Sequence, residues 1–145
     1  MAKVVAINIS EAKGVIKKPI EKGEFLVGFG LREDAHGGDW HRQVSLLGQE
    51  SIDKMTDRGA QDLSAGVFAE NITTEGVDLY KLPIGTKLRI QDVLLEVTQI
   101  GKECHRGCEI LKKVGDCVMP REGIFAVVLE GGIVYPGQEI EVLYN

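Results

Sequence analysis

The chain lacks the features that mark several specialised classes of protein. Its 145 residues include only three cysteines, and an odd number without a secretory signal does not make a disulfide framework. No apolar run approaches the length that spans a bilayer. The net charge of −5 leaves no basic excess for binding nucleic acid or an anionic membrane surface. We therefore expect a cytoplasmic protein that binds neither nucleic acid nor membrane.

Common catalytic signatures are missing as well. The sequence contains no Walker loop, no Gly-x-Gly-x-x-Gly motif that opens a helix, and no assignable Ser-His-Asp set. It also contains no internal repeat, linker or low-complexity tract. With 43% hydrophobic and 27% charged residues, its composition is that of a globular protein. A chain of this length can bury its own core, so we expect one domain over residues 1–145.

Short strand-like segments account for most of the sequence. Val5, Ile7 and Ile9 alternate with polar or small residues, which is the period of a half-buried strand. The best helix runs from Gln49 to Asp57. Further strands are predicted at residues 25–31, with a bend at the glycines, and at 43–47, 71–73, 87–90, 93–100, 124–129 and 139–144. This order predicts a mostly β, largely antiparallel and barrel-like fold with one or two short helices.

The two thiols that follow the predicted strand at 93–100 form the first candidate site. Cys104 and Cys108 are surrounded by cationic side chains, namely Lys102, His105, Arg106, Lys112 and Lys113. Positive neighbours favour the thiolate, which is the form that acts as nucleophile, sulfur carrier or metal ligand. One alternative is that these cysteines are small buried hydrophobes. Another is a zinc site that combines these two cysteines with His36 and His41, with or without Cys117, although the cysteine spacing matches zinc motifs poorly.

A polar loop at residues 30–42 forms the second candidate site. Its histidines, His36 and His41, and its arginines, Arg32 and Arg42, lie among glycines that allow the loop to wrap a polar ligand. The planar guanidinium group of arginine suits phosphate or carboxylate. The alternative is a solvated turn whose histidines lie at the surface or cap backbone groups.

These segments together resemble a known family. The sequence carries in order Gly-Leu-x-x-Asp-Ala-His-x-Gly at 30–38, His-Arg-Gln-Val-Ser-Leu-Leu at 41–47, Gly-Val-Phe-Ala-Glu-Asn-Ile at 66–72, Ile-Gly-x-x-Leu at 84–88, Leu-Glu-Val-Thr at 95–98 followed by Cys104, and Gly-Gly-Ile-x-x-x-Gly at 131–137. This set resembles a MOSC domain in its small stand-alone bacterial form. The domain type is named after the C-terminal region of molybdenum cofactor sulfurase.

The resemblance implies a barrel-like β fold and chemistry on molybdenum cofactor (molybdopterin) or a related sulfur transfer. Cys104 matches the family's late cysteine, which is thought to carry sulfur as a persulfide or to bind the molybdenum of the cofactor. Many relatives have Arg and Pro before that cysteine, whereas this chain reads Gly101-Lys102-Glu103. No pyridoxal phosphate is expected, because that group belongs to the separate desulfurase domain of the full sulfurase.

The resemblance also assigns a sulfur-transfer role to the thiol cluster. Cys104, activated by Lys102, His105 or Arg106, would accept sulfane sulfur from a cysteine desulfurase-like donor. Cys108 could resolve the resulting persulfide. The sulfur would then pass to the cofactor or to a molybdoenzyme partner.

Ligand binding would fall mainly to the arginines. The phosphate of an anionic pterin would be held by Arg32, Arg42 and Arg121. Polar contacts with the rest of the ligand would come from His36, His41 and Asn71. For Arg121 the alternative is an exposed turn, and for Asn71 it is a strand-end backbone cap. Two other functions compete with sulfur transfer: a non-catalytic module that binds or delivers the cofactor, and a thiol redox sensor.

Overall fold

A computed structural model describes residues 2–12, 15–57, 63, 65–101 and 122–144. β-Strands are the main regular structure of this part of the chain, as the sequence predicted. The strands are β1 (Lys3–Ile9), β2 (Lys18–Ile20), β3 (Gly23–Leu26), β4 (Gly30–Leu31), β5 (Val44–Gly48), β6 (Ile72–Glu75), β7 (Lys87–Ile90), β8 (Val93–Ile100), β9 (Ile124–Glu130), β10 (Gly132–Val134) and β11 (Glu141–Leu143). The α-helix α1 (Gln49–Asp57) and a 3-10 turn at Leu79–Lys81 accompany them.

Eight of these strands form one curled sheet in the order β11-β7-β8-β9-β5-β6-β1-β2. Its pairs are antiparallel except β5 with β6, which is parallel. Near the opposite ends of this order, Lys3 of β1 forms a bridge with Glu139, just before β11. The Val4 amide also donates to the Gln138 carbonyl at 2.8 Å. These contacts bring the two ends of the sheet together and make the predicted barrel-like shape.

The β5 strand lies between two packed regions. All five of its residues are buried, with Val44 and Leu46 in the larger core inside the curled sheet. Leu47 instead joins a second cluster that contains Ile52 and Met55 of α1. The helix thus covers the outer face of the sheet with its narrow apolar stripe, as the sequence pattern indicated.

The predicted single strand at residues 25–31 was wrong, because the chain turns back on itself there. The structure contains β3 and β4 as an antiparallel pair, with Phe25 opposite Leu31. The Phe29 amide donates to the Leu26 carbonyl at 3.1 Å, which closes the turn. Gly28 has φ +73°, a conformation that glycine adopts without the penalty other residues incur. These strands pair with β10 in a second, three-stranded sheet.

Other boundaries also differ from the prediction. The strand β10, which begins at Gly132 and pairs there with Phe25, had not been predicted. The short edge strand β2 had not been predicted, since a three-residue segment containing Pro19 carries little periodic signal. None of the helices in the described residues is both long and apolar enough to cross a membrane.

Candidate functional site

The candidate site lies where β8 ends. The chain leaves this strand at Gly101 and reappears in the described residues at Glu122, immediately before β9. The Gly101 amide donates to the Gly123 carbonyl at 2.7 Å, so the two flanks of the intervening segment are in contact. The predicted residues Lys102, Cys104, His105, Arg106, Cys108, Cys117 and Arg121 lie outside the described residues.

The C-terminal flank of that segment is held by α1. Ser51 donates a hydrogen bond from its hydroxyl to Glu122 Oε1 at 2.6 Å. Lys54 contacts both carboxylate oxygens of Glu122, at 3.0 and 3.2 Å. The helix therefore fixes the point at which the chain re-enters the sheet.

Arg42 presents a guanidinium group near this edge. Its Nε donates to the side-chain oxygen of Gln99 at 3.1 Å, and the guanidinium carbon lies 5.9 and 5.3 Å from the ring centroids of Trp40 and Phe125. Within the described residues, the terminal nitrogens of Arg42 have no hydrogen-bond partner. They form the fork that binds phosphate or carboxylate in a bidentate way.

Gln99, which was not among the predicted site residues, connects Arg42 to His41 and Gly101. Its Oε1 also lies 2.8 Å from Nε2 of the exposed His41, and its Nε2 donates to the Gly101 carbonyl at 2.8 Å. A signal was present in the sequence: Val93, Leu95 and Val97 face the core, and Gln99 is the next residue in that alternation. A polar residue there interrupts an otherwise apolar series.

A buried ion pair organises the start of the polar loop. Lys17 and Asp34 both have fully buried side chains, and Lys17 Nζ lies 2.7 Å from Asp34 Oδ1. The same ammonium group lies 2.9 Å from Ser10 Oγ and 3.1 Å from His36 Nδ1. The Trp40 indole N–H donates to the His36 carbonyl at 2.8 Å. The ion pair thus anchors the backbone that carries His36, and Trp40 extends this connection to Arg42.

The charge of Lys17 decides the protonation of Asp34. Burial alone would raise the pKa of the Asp34 carboxyl, but the hydrogen bond and positive charge of Lys17 outweigh it. The Ser10 amide and the side-chain amide of Asn71 act in the same direction, so the pKa lies below its ordinary value. The pair is therefore ionised at neutral pH.

This lowered pKa predicts how stability depends on pH. A depressed carboxyl pKa contributes stability that is present above the unfolded value of about 3.9 and is lost as pH falls through the folded value. The difference in unfolding free energy between wild type and Asp34→Asn should hence be constant from about pH 7 to 5 and shrink below about pH 4. Urea unfolding at each pH measures it. The exposed control Asp92→Asn should stay within about 0.5 kcal/mol of wild type at neutral pH; an equal effect of both substitutions there would contradict the prediction.

Asn71 is not exposed at the surface, where a ligand would contact it. Its side chain is completely buried, and its Oδ1 accepts from the Ser45 amide at 2.9 Å and from the Ser45 hydroxyl at 3.2 Å. Its Nδ2 donates to the Asn8 carbonyl at 3.3 Å. The residue thereby ties β1 to β5 just before β6 begins. It lies near the Asp34 cluster, in which His36 is half-buried.

Arg32 lies in a different environment from Arg42. It is exposed and forms an ion pair with Glu24 at 2.9 Å, which raises its pKa. It lines a cavity of about 590 Å³ together with apolar side chains that include Ile9 and Ile20. Within the described residues, Arg32 contacts neither Arg42 nor the two loop histidines. The two arginines and two histidines of the loop therefore do not form one group there.

The described part of the chain contains no candidate metal site. No group of three or more His, Cys, Asp and Glu side chains is placed there to hold an ion. The zinc alternative depended on cysteines that lie outside this part, so it stays a prediction.

Comparisons with known proteins agree on the fold. A sequence model of the MOSC domain matches residues 32–141. The structure of YuaD from Bacillus subtilis is similar, with a TM-score of 0.82 and 21% identity, covering 100% of this chain and 98% of that one. YiiM from Geobacillus stearothermophilus has a TM-score of 0.77 and 19% identity, covering 99% of this chain and 75% of that one. YiiM from Escherichia coli has 0.72 and 17%, covering 100% and 71%. A search of curated proteins found no match.

Proposed function

Because the chain belongs to the MOSC domain family, we propose that it is a sulfur carrier associated with molybdenum cofactor, in which Cys104 holds the sulfur. The observation that carries the proposal is the position of the cysteine segment. It begins directly after Gly101, whose carbonyl is hydrogen-bonded through Gln99 to the Arg42 and His41 side chains. A thiol three residues further along is thus close in the chain to a group suited to an anionic ligand.

The proposed step is a thiol–persulfide exchange. The Cys104 thiolate attacks the outer sulfur of a donor persulfide, R–S–SH, and forms a new S–S bond as the donor S–S bond breaks. The products are the Cys104 persulfide and the donor thiolate, R–S⁻, so no external oxidant is needed. Cys108 could then attack the Cys104 sulfur, giving a disulfide and releasing hydrosulfide. Lys102, His105 and Arg106 favour the attacking thiolate by their charge.

The residues on the described side of the site suit a phosphate-bearing pterin. The terminal nitrogens of Arg42, which form no hydrogen bond with any residue that the structure describes, lie near two aromatic rings and are a donor set for an anionic group. Arg32 and Arg121 are the further candidates for phosphate, with His36 and His41 for the polar edges of the ligand, whereas the buried side chain of Asn71 is hydrogen-bonded to Ser45 and Asn8. When bound, the cofactor would supply a molybdenum centre whose sulfur ligand can be exchanged, and Cys104 is the candidate protein ligand.

The test of the proposal is where a sulfane donor leaves its sulfur. Incubation with a persulfide donor followed by mass spectrometry should find the added sulfur on Cys104. Near neutral pH, Cys104 should also be alkylated fastest, because its cationic neighbours lower a thiol pKa that is ordinarily about 8.5. Cys117 follows Asp116 and should react most slowly, and Cys108, beside Glu109, should be intermediate.

The matched variants are Cys104→Ala and Cys117→Ala. The first should fold and keep its arginines yet lose the label, whereas the second should keep the label. Label found on Cys108 or Cys117 but never on Cys104 would sink the assignment.

A non-catalytic cofactor-binding module is the second candidate. It is favoured by one observation, that Gln99 holds Arg42 through Nε alone; a guanidinium group held in this way can bind an anion without a thiol. A wild-type protein that takes up no sulfur on any cysteine and still binds cofactor would favour this module over the carrier.

A further inference from the structure

The side-chain amide of Gln99 joins three groups at the end of β8. Its oxygen faces Arg42 Nε at 3.1 Å and His41 Nε2 at 2.8 Å, and its nitrogen faces the Gly101 carbonyl at 2.8 Å. An arginine Nε can only donate and a backbone carbonyl can only accept. These two neighbours therefore fix which end of the amide is oxygen and which is nitrogen.

The fixed amide also decides the protonation of one ring nitrogen of His41. Since Gln99 Oε1 can only accept, the His41 Nε2 that faces it must carry a hydrogen. In the neutral ring, Nδ1 is then the acceptor. The hydroxyl of Thr98 holds the same loop from the adjacent position by donating to the His41 carbonyl. Two consecutive side chains of β8 thus fasten residues 41–42 to this strand.

We propose that Gln99 is a positioning residue of the candidate site, which directs the Arg42 fork, selects the Nε2–H form of His41 and ties both to Gly101. Gln99 contacts only Nε of Arg42, and no other described residue forms a hydrogen bond with the two terminal nitrogens, which can therefore bind an anion. The hydrogen bond to Gly101 places this fork at the root of the segment that carries Cys104. The inference rests on the proposed function for the role of Arg42 as an anion anchor.

The test replaces the amide with a side chain of similar length that forms no such hydrogen bonds. In Gln99→Met, the dissociation constant for inorganic phosphate should rise about tenfold, and 15N NMR of the His41 ring should show loss of the Nε2–H preference. The control Gln49→Met removes one exposed hydrogen bond to Asp53 and should change neither reading. Arg42→Met should lower phosphate affinity at least as much as Gln99→Met.

A second variant separates positioning from general support. Gln99→Glu keeps an oxygen for Arg42 and His41, but it adds a negative charge beside the guanidinium and sets an oxygen against the Gly101 carbonyl. The His41 ring should keep its Nε2–H form, whereas phosphate affinity should fall by at least tenfold. If Gln99 only supported the fold, the His41 ring signals and the phosphate affinity would change together or not at all.

The outcomes distinguish this inference from the proposed function. Unchanged His41 signals and phosphate affinity in Gln99→Met would overturn the positioning role, even if Cys104 takes up sulfur. Altered His41 signals in a protein whose wild type binds no phosphate would support the positioning of the side chains and overturn the anion site. Sulfur labelling that avoids Cys104 would overturn the carrier function. It would not affect the conclusions about Gln99 that rest on the His41 signals and the phosphate affinity.

Discussion

Lys17→Met should lower the free energy of unfolding by about 3–5 kcal/mol at neutral pH, because it leaves the buried Asp34 carboxylate without its cation. The methionine fills a similar volume, so lost packing contributes little to this effect. Urea unfolding monitored by circular dichroism gives the value. That loss is a large share of the 5–15 kcal/mol that stabilises most domains.

Two further variants check the cause. Lys18→Met, at the exposed neighbouring position, should cost no more than about 0.5 kcal/mol. The double variant Lys17→Met/Asp34→Leu should recover much of the loss, since replacing both members of a buried pair removes the uncompensated charge. A Lys17→Met protein as stable as Lys18→Met would show that the buried ion pair does not support the fold.

Glu70→Ala should cost about 2–6 kcal/mol, because the Glu70 carboxylate is the acceptor for two buried backbone amides. Its Oε2 accepts from the Gly66 amide at 3.0 Å and its Oε1 from the Phe68 amide at 3.2 Å, while the Thr73 hydroxyl donates to Oε2 at 2.7 Å. Each buried donor left without a partner costs about 1–3 kcal/mol. The same turn holds Ala69 at φ +65°, which is costly without such support.

The pH dependence of this loss should run opposite to that of Asp34. Burial raises the pKa of Glu70, so the folded protein takes up the proton before the unfolded chain does. The contribution of Glu70 to stability should therefore increase as pH falls from the raised folded pKa towards the unfolded value of about 4.3. The exposed control Glu130→Ala, which breaks a surface ion pair with Arg89, should cost less than about 1 kcal/mol. A loss of that small size for Glu70→Ala would contradict the assigned role of the carboxylate.

Local patterns account for the parts of the fold that the sequence predicted well. The helix at Gln49–Asp57 and the strands at Lys87–Ile90 and Val93–Ile100 have the predicted bounds. Their periodicity lies within a few consecutive residues and ends at polar or glycine positions. The hairpin between β3 and β4 was missed because its turn lies inside an apolar run, where Gly28 provides the reversal and no polar cluster marks it.

The site was harder to predict because its contacts join distant segments. Lys17 received no role from the sequence, since a lysine is rarely buried and its partner Asp34 lies 17 positions away. Arg32 and Arg42 occupy one loop and carry the same chemistry, yet one pairs with Glu24 at the surface and the other packs beside Trp40. Composition pointed to the whole loop as a candidate ligand site, and ligand binding there stays a prediction. Only the tertiary structure shows which polar residues of the loop lie together and which lie apart.

The bridge between Lys3 and Glu139 has a consequence for how the protein forms during synthesis. Strand β1 leaves the ribosome long before residues 138–140, which it contacts in the folded protein. Contacts between residues so distant in sequence carry a high loop-closure entropy and slow folding. Until the ribosome has released residues 138–140, the part of β1 that contacts them has no partner on that side. A nascent chain would thus expose this strand edge until those residues emerge.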